Sequence, residues 1–237
     1  MKVPSTEVQN NFGKYLKYAE ADEEIIVTKK GRDVAKIVPC RDMIKEGAQE
    51  YRTKSDWVSY EEFMELVENS EQRFELIDGV IYNLASPSYK HQYAVHELQG
   101  TFYNWFKGKS CVPLTSPFDV TLIKEDNNTC VVQPDILVIC DKENIDQNGK
   151  YKGTPALVVE VLSPSTRSKD MLKKLDLYKQ CYVKEYWIVD PINDSILVYS
   201  LADDEITDSK FYKKIDNHLV QSALFEGLEI ALQDIFV

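Results

Sequence analysis

Two acidic residues stand where the sequence otherwise indicates buried β-strands. Glu160 interrupts the apolar run ALVVEVL, and Asp135 follows Pro134 at the start of DILVIC. Burying an ionised carboxylate costs several kcal/mol unless a cation or hydrogen-bond donors compensate it. A buried ion pair, or an edge strand with one wet face, would account for either acid taken singly. Two such acids on successive strands favour a metal site, and their hard oxygen ligands suit Mg²⁺ or Mn²⁺.

A lysine lies on the apolar face of the helix that the sequence predicts after the Glu160 strand. In MLKKLDLYKQ, apolar residues recur at steps of four and three, and Lys174 lies within that stripe. Lys174 is therefore expected to face the sheet, with Asp170 one turn earlier able to orient it. A lysine that extends from the core edge into solvent is the alternative. The proximity of Lys174 to Glu160 in the chain favours a role at the acidic site.

A mixed set of strands and helices must position these side chains. Ser59 and Glu62 form a capping box at the start of a helix, and Asp78-Gly79 is a strong hairpin signal. A longer helical pattern runs from about Tyr89 to Phe106. Four apolar strand candidates follow, namely CVPLTSPFDVTLI, CVVQPDILVIC, PALVVEVLS and YWIVD, with a helix between the last two. The order strand, helix, strand implies a crossover, so we expect an α/β or α+β fold with a mixed sheet.

A separate small unit precedes this region. Ser5 or Thr6 can cap an amphipathic helix, and its apolar face would contain Val8, Phe12, Leu16 and Ala19. The runs IIVT and DVAKIVP, joined by the Gly-containing turn KKGR, indicate a β-hairpin. A helix and hairpin of about 40 residues are too small for a comfortable core, so we expect this unit to dimerise or to pack on a partner.

Charge divides the chain unevenly. The whole chain has 28 Lys and Arg against 39 Asp and Glu, a formal net charge of −11 at pH 7. Residues 1–55 carry a net +2 and residues 56–237 carry −13, and the segment CRDMIKEGAQEYRTKSDW between them is typical of a polar linker. We therefore predict two domains, 1–55 and 56–237. The overall acidity argues against a dedicated nucleic-acid coat protein.

Cysteine usage and hydropathy indicate the compartment. Five widely spaced cysteines without a CxxC pair fit buried thiols better than disulfides or a zinc site. No apolar run approaches the roughly 18 residues of a membrane span, and the opening MKVPSTEV lacks the apolar stretch of a secretory signal. The sequence therefore predicts a cytoplasmic protein with no membrane association.

The acidic site and its surroundings resemble a known nuclease family. Asp135, then Glu160, then a lysine have the order of the PD-(D/E)xK nucleases. The segments RFELIDG, VVQPDILVICD, ALVVEVLSPSTRSKD, KKLDLY and EYWIVDP resemble the Uma-type family of restriction-endonuclease-like proteins in that superfamily, over about residues 57 to 200. The resemblance implies a restriction-endonuclease-like central mixed sheet of four strands, flanked by helices and carrying one divalent-metal site.

The resemblance also implies roles for individual residues. Asp135 and Glu160 would bind the metal, Lys174 would be the catalytic lysine and Glu75 of RFELIDG an accessory acid; His91 and Asp119 also match positions near that site. The predicted reaction is phosphodiester hydrolysis assisted by Mg²⁺ or Mn²⁺.

One position departs from the superfamily pattern. The residue that would be the lysine of the E-x-K motif is Leu162 in this chain. The lysine must therefore come from another element, and Lys174 on the following helix is the candidate. It would orient the attacking water or neutralise charge that develops on the phosphate.

The first 40 residues resemble a different family. VPSTEVQNNFGKYLKYAE followed by EEIIVTKKGRDVAKIVP is similar to the N-terminal half of Phd/YefM-type antitoxins, the DNA-binding repressor partners of bacterial toxins. The resemblance implies a homodimeric module that contacts operator DNA through Lys2, Asn10, Asn11, Lys14, Lys29, Lys30 and Arg32. The alternative is that the basic residues of the turn only solvate a hairpin tip. A domain of net charge +2 attracts DNA only weakly, so DNA binding should depend on dimerisation and weaken steeply as the salt concentration rises.

Two functions follow from these observations. The first is a Mg²⁺-dependent DNA endonuclease whose N-terminal module supplies dimerisation or DNA targeting. The second is a non-catalytic, antitoxin-like DNA-binding regulator that has kept the nuclease fold without turnover, and a toxin protein is then a further expected partner. The set Asp135, Glu160 and Lys174 favours the enzyme, whereas the charge of −13 and Leu162 favour the regulator.

Overall fold

The computed structural model of the chain describes residues 1–15, 25–37, 57–68, 70, 72–84, 86–163 and 169–237. The chain divides into two compact units, residues 1–51 and 52–237. The predicted domain boundary at residue 55 lies outside the described residues and stays a prediction.

The first unit is a small three-stranded sheet with a short helix. Its elements are β1 (Lys2–Pro4), α1 (Ser5–Asn10), β2 (Ile25–Lys29) and β3 (Arg32–Ile37). The central strand β2 pairs in parallel with β1 and antiparallel with β3. Val3, Val8, Tyr15, Ile25 and Val27 form its buried core. Helix and hairpin are thus both present, with an additional parallel strand at the start of the chain.

The predicted details of the first helix are partly wrong. Pro4 occupies the N-cap position and no side chain caps the helix, so neither Ser5 nor Thr6 has the predicted role. Val8 is buried as expected, but Phe12 is 52% exposed, because α1 ends at Asn10 and the chain turns before Phe12. Leu16 and Ala19 lie outside the described residues.

The second unit contains the remaining helices and strands. In chain order these are α2 (Tyr60–Glu68), β4 (Phe74–Ile77), β5 (Val80–Asn83), α3 (Tyr89–Phe106), β6 (Val112–Thr115), β7 (Val120–Ile123), β8 (Thr129–Val132), β9 (Ile136–Ile139), β10 (Leu157–Val161), α4 (Leu175–Gln180), β11 (Glu185–Asp190), β12 (Ser195–Ala202), β13 (Glu205–Lys213), β14 (Leu219–Gln221), β15 (Glu229–Ala231) and α5 (Leu232–Ile235). A π-helical turn, Lys169–Lys174, leads directly into α4.

The mixed sheet predicted from the sequence is confirmed. Its strand order is β13-β12-β11-β10-β9-β6, and β10 and β11 form the parallel pair on either side of the α4 crossover. The sheet has six strands rather than four, because the long hairpin β12–β13 extends one edge. A second, antiparallel sheet has the order β5-β4-β8-β7, and β14 and β15 form a small ribbon. The fold is therefore mixed α and β.

The six-stranded sheet has an apolar core on each face. The buried side of α3, which includes Leu98 and Phe102, packs on one face together with the C-terminal helix α5. The other face packs against α4 and against residues of the four-stranded sheet such as Val120 and Leu122. Strands β9, β10 and β11 are buried along their whole length, which explains why they read as continuous apolar runs.

Two of the predicted strands each divide at a proline. CVPLTSPFDVTLI forms β6 and β7 on either side of Pro117, and CVVQPDILVIC forms β8 and β9 on either side of Pro134. Proline cannot donate a hydrogen bond to a sheet, so neither run continues as one strand. In both cases one half joins the six-stranded sheet and the other joins the four-stranded sheet. These two crossings connect the sheets, and one of them carries Asp135.

The expectation of cysteine thiols without disulfides is wrong for one pair. Cys111 and Cys140 form a disulfide, with Cα atoms 4.1 Å apart. They come directly before β6 and directly after β9, and the antiparallel register of these strands brings the two cysteines opposite one another. Cys130 and Cys181 are buried thiols, and burial raises the pKa of Cys181 to about 12. The pair could not be identified from a separation of 29 residues without the strand pairing.

Several local predictions are confirmed. Ser59 Oγ accepts a hydrogen bond from Glu62 N, and Glu62 Oε2 accepts one from Ser59 N, which is the capping box. Asp78 and Gly79 both have positive φ and connect β4 to β5 in a two-residue turn. The long helix has the predicted bounds, Tyr89–Phe106. No helix in the described parts of the chain is long and apolar enough to cross a membrane.

Candidate active site

A buried pair of opposite charges lies at the centre of the six-stranded sheet. Glu160 is the fourth residue of β10 and is 3% exposed. Lys174, the last residue of the π-helical turn, is 2% exposed and places Nζ 2.7 Å from Glu160 Oε1. Lys174 therefore faces the sheet, as its place in the apolar stripe predicts. Each charge compensates the desolvation of the other.

A second carboxylate reaches the same lysine from the four-stranded sheet. Glu75 on β4 is fully buried, and its Oε1 lies 2.9 Å from Lys174 Nζ. The backbone N–H of Gln133 donates to the same oxygen at 3.0 Å. Lys174 thus connects one acid from each sheet, which ties the site to the packing of the two sheets.

Asp135 directly precedes β9, the strand that pairs with the strand carrying Glu160. Its Oδ2 accepts a hydrogen bond from Val161 N at 2.8 Å and lies 3.2 Å from His91 Nε2. His91 lies in the first turn of α3, where its own N–H donates to the Ser88 side chain at the N-cap. The helix start and the strand end together fix the Asp135 carboxylate. His91 Nδ1 is buried and has no hydrogen-bond partner among the described residues.

A tyrosine of α4 completes the contacts of Glu160. Tyr178 is fully buried and donates its hydroxyl to Glu160 Oε1 at 2.6 Å. Desolvation by burial, followed by the negative charge of Glu160, raises the pKa of Tyr178 well above its usual value. The phenol therefore stays protonated at neutral pH and acts as a permanent donor. Lys174 and Tyr178 are four residues apart across the junction of the π turn and α4, which directs both toward Glu160.

A small cleft opens beside the carboxylates. Gln133 Nε2 donates to Asp119 Oδ1 at 2.8 Å, while Gln133 Oε1 is buried with no hydrogen-bond partner in the described parts of the chain. These two residues line a cavity of about 280 Å³ together with Arg73 and Lys150. The cleft is therefore lined by one carboxylate, Asp119, and two cations, and Gln133 connects it to Glu75. That composition suits a phosphate-containing ligand.

Two carboxylates of the site carry the kind of oxygen ligand that a hard divalent cation prefers. Asp135 directly precedes β9 and Glu160 lies on the paired strand β10, and Mg²⁺ in proteins is commonly bound by one or two carboxylates with water in the remaining positions. Among the described residues, however, no three His, Cys, Asp or Glu side chains are grouped closely enough to enclose a metal ion. The protein could therefore supply two carboxylates to a metal, but not a complete shell of described side chains.

The sequence-predicted residues of the second unit separate into two groups. The structure brings Glu75, Glu160 and Lys174 into direct contact. Asp135 is bound to Val161 N, the residue after Glu160, and to His91, while Asp119 is connected to Glu75 through Gln133. The side chain of Asp170 lies outside the described residues. Leu162, at the position of the missing E-x-K lysine, is 4% exposed in the core.

The residues predicted to contact DNA lie on one small unit. Lys29, Lys30 and Arg32 are exposed around the β2–β3 turn, where Lys30 and Gly31 both have positive φ. Asn10, Asn11 and Lys14 are exposed in and after α1. Lys2 differs, since its ammonium group forms an ion pair with Asp33 at 2.8 Å.

Comparison with known proteins identifies the second unit. Residues 60–233 match Uma2, the family described as "Putative restriction endonuclease". The chain belongs to this family. Residues 1–80 match the family described as antitoxin Phd_YefM of type II toxin-antitoxin systems. Both resemblances predicted from the sequence are confirmed, and Uma2 membership indicates a nuclease.

Individual relatives agree with the Uma2 assignment. An uncharacterized protein of Synechocystis sp., slr1290, is 31% identical over 148 residues, which are 62% of this chain and 76% of the relative. The crystal structure of a "putative nuclease belonging to DUF820" from Anabaena variabilis superposes with a TM-score of 0.62 at 20% identity, covering 75% of this chain and 97% of the other. At that identity the superposition demonstrates a shared fold.

Two residues of the site were missed by the sequence reasoning. Tyr178 belongs to the apolar stripe of MLKKLDLYKQ, although its phenol can donate a hydrogen bond inside a core. Gln133, directly before Pro134, did not stand out, although both its backbone and its side chain contact acids of the site. The sequence signal that could have identified Gln133 is a polar side chain directly before a proline that ends a strand.

Proposed function

We propose that this Uma2 protein is a Mg²⁺-dependent DNA endonuclease and that Asp135, Glu160, Lys174 and Glu75 form its catalytic site. The observation that carries the proposal is the double contact of Lys174 Nζ, which lies 2.7 Å from Glu160 and 2.9 Å from Glu75. A lysine held in place by two buried acids is positioned far more rigidly than a surface lysine. Asp135, whose carboxylate is bound to Val161 N directly after Glu160, supports the proposal of a metal site next to this lysine.

Asp135 and Glu160 would hold the metal, and each is oriented by a donor. Val161 N orients Asp135, and the Tyr178 hydroxyl orients Glu160. When bound, Mg²⁺ would polarise the phosphate and lower the pKa of a coordinated water. Mn²⁺, which has similar ligand preferences, would serve as an alternative ion.

Lys174 would provide the fixed positive charge of the reaction. Its Nζ can donate hydrogen bonds to a non-bridging phosphate oxygen and thereby stabilise the charge that develops as the P–O bond breaks. Glu75 keeps the ammonium group in position and can also accept a proton during water attack. His91 contacts the same Asp135 oxygen as Val161 N and would act as a positioning residue.

Substrate contact by an acidic domain needs local cations. Arg73 and Lys150 line the cleft beside Gln133 and can contact phosphates on either side of the scissile bond. The first unit would add the rest of the affinity, as a homodimeric, antitoxin-like module that presents Lys29, Lys30 and Arg32 to DNA. A toxin protein, the partner class of Phd/YefM antitoxins, is a further proposed partner.

The decisive experiment is nicking of supercoiled plasmid DNA by the purified full chain. With Mg²⁺ present we expect nicking that EDTA abolishes, and a loss of at least about 10²-fold in Asp135→Ala and Glu160→Ala. Glu185→Gln is the matched control, because Glu185 is a buried acid on the neighbouring strand that is held by neutral donors. If the wild type and both alanine variants nick equally or not at all, the enzyme proposal fails and the non-catalytic regulator replaces it.

The DNA-binding role of the first unit has its own measurement. In gel shifts of the full chain with duplex DNA and EDTA, the triple variant Lys29→Glu, Lys30→Glu, Arg32→Glu should bind at least about tenfold more weakly at low salt. Wild-type affinity should fall steeply as salt rises, because phosphate contacts release counterions. An exposed lysine of the other unit, Lys142, supplies the control variant Lys142→Glu. Equal binding by all three proteins would contradict DNA contact at the hairpin turn.

A further inference from the structure

Strand β13 is a long edge strand that the rest of its sheet leaves uncovered. It spans the nine residues Glu205–Lys213, and every one of them except Tyr212 is exposed. It pairs with β12 on one side, and no described strand pairs with its other side. An uncovered edge of this length presents a row of backbone donors and acceptors to any strand that can match it.

The backbone groups that face outward can be identified. Leu201 N donates to Lys184 O on the β11 side of β12, so the next residue, Ser200, turns its backbone toward β13. Ser200 is paired with Asp208, which therefore faces β12. A register shift at Ser200/Leu201 leaves Thr207 as the extra residue of a β-bulge, so in the regular part of the strand the residues that face outward are Ser209, Phe211 and Lys213. Consistent with this, Ser209 N donates to the adjacent Asp208 side chain at 2.8 Å.

The charges along β13 are arranged in two halves. Glu205 and Asp208 lie in the first half, and Lys210 and Lys213 lie in the second. An antiparallel copy of the same strand, centred on Ser209, brings Asp208 opposite Lys210 of the copy, and the reverse pair forms on the other side of the axis. Opposite charges directly across an antiparallel pair stabilise it, and like charges destabilise it.

The same register also aligns the backbone around the axis. Ser209 faces outward, so a two-fold axis at Ser209 aligns its N–H and C=O with those of the copy as a hydrogen-bonded pair. Phe211, which is 61% exposed in the single chain, lies beside this pair and faces the bulged residue Thr207 of the copy. Backbone and charge therefore agree on one register and one symmetry.

We propose that β13 is a self-association surface, on which a second copy of this chain adds its own β13 antiparallel about Ser209. The two six-stranded sheets then continue as one sheet of twelve strands. The interface is isologous, because the same residues contribute from both copies. It lies in the second unit and requires neither DNA nor metal, so it stands or falls independently of the proposed nuclease activity.

The test uses charge reversal and molar mass. In the Asp208→Lys variant, a lysine at position 208 faces Lys210 of the copy at both ends of the pair. In the Lys210→Asp variant, an aspartate at position 210 faces Asp208 of the copy in the same way. Each variant, measured in the full chain by light scattering and sedimentation equilibrium at low salt, should show about half the wild-type mass and a self-association constant at least about tenfold weaker. An equimolar mixture of the two variants should regain the wild-type mass, because every facing pair is again of opposite charge.

Two further variants test whether the outward edge of β13 itself carries the association. Ser209→Pro removes an outward N–H that β12 does not use, so it should leave the circular dichroism spectrum unchanged and abolish association. Lys142→Asp is an exposed charge reversal away from the strand and should behave like the wild type. If the first unit also dimerises, the same two chains can form both interfaces, so the weakening of the self-association constant by about tenfold, and not the mass ratio, is the deciding measurement. Equal self-association constants for the wild type and both reversals, or no recovery on mixing, would overturn the proposal.

Discussion

Glu160 and Glu185 are buried carboxylates on adjacent strands with different surroundings. Glu160 on β10 contacts the ammonium group of Lys174 and the hydroxyl of Tyr178. Glu185, the first residue of β11, is fully buried and accepts hydrogen bonds from the Trp187 indole, from Ser222 Oγ at 3.1 Å and from Leu224 N at 2.7 Å. Glu160 has a charged partner, Lys174, which it shares with Glu75, whereas Glu185 is held by neutral donors.

The difference indicates what each region does. Neutral donors stabilise a carboxylate in place and connect β11 to the segment that contains Ser222 and Leu224, so Glu185 fastens the C-terminal part of the chain to the sheet. The lysine between two acids, by contrast, is the group that we propose contacts a substrate phosphate. Burial of an acid on a strand is therefore not sufficient evidence of a site. The charge and sharing of its partners are more informative.

The largest expected effect is on stability when the shared lysine is removed. Lys174→Met leaves Glu75 and Glu160 without the ammonium group and should lower the free energy of unfolding by about 3–5 kcal/mol at pH 7. Urea denaturation followed by circular dichroism measures it. The control is Lys179→Met, whose lysine lies on the adjoining helix α4 and forms an ion pair with Asp176 at 3.8 Å. A loss below about 1 kcal/mol for Lys174→Met would mean that the two acids do not depend on this lysine.

Removing the neutral site should cost less. Glu185→Ala leaves the Trp187 and Leu224 N–H groups and the Ser222 hydroxyl without their acceptor, and we expect a loss of about 1–3 kcal/mol in the same assay. Nicking per folded molecule should stay at the wild-type level. A large loss of nicking by a folded Glu185→Ala protein would contradict the proposal that Glu160 acts in catalysis and Glu185 only in stability.

The smallest effect concerns pH. Burial raises the pKa of Glu185 above 4.5, with the hydrogen bonds from Trp187 and Leu224 opposing the shift. A raised pKa in the folded state means that the contribution of Glu185 to stability is fully present below the unfolded pKa and is lost as pH rises through the folded pKa. Glu185→Gln should therefore remove part of the decline in melting temperature that the wild type shows as pH rises from about 4 upward. Parallel curves for the two proteins would show that Glu185 does not titrate differently on folding.

Much of the site was predictable because its residues violate local patterns. Glu160 in a fully apolar strand and Lys174 in an apolar stripe each require a partner, and the structure pairs them directly. The hairpin at Asp78-Gly79 and the capping box at Ser59 depend on neighbouring residues alone, so they too were predicted correctly. Local rules are reliable where the physical cause is local.

What could not be predicted depends on contacts between distant segments. The disulfide of Cys111 and Cys140 requires the register of β6 against β9, which two apolar runs do not specify. Likewise, Glu185 shows no special feature in EYWIVD until the segment around Ser222 packs against it. The number of strands in the central sheet depends on which edge the last hairpin joins, and that is decided by packing.

The crossing from β8 to β9 has a mechanical consequence. Gln133 holds Glu75 on the four-stranded sheet, Asp135 holds Val161 on the six-stranded sheet, and Pro134 separates them. The three residues therefore form a hinge between the two sheets. A small separation of the sheets would draw Glu75 away from Lys174, while Asp135 and Glu160 stay with the six-stranded sheet. The contact of Lys174 with both acids would then be lost without unfolding either sheet.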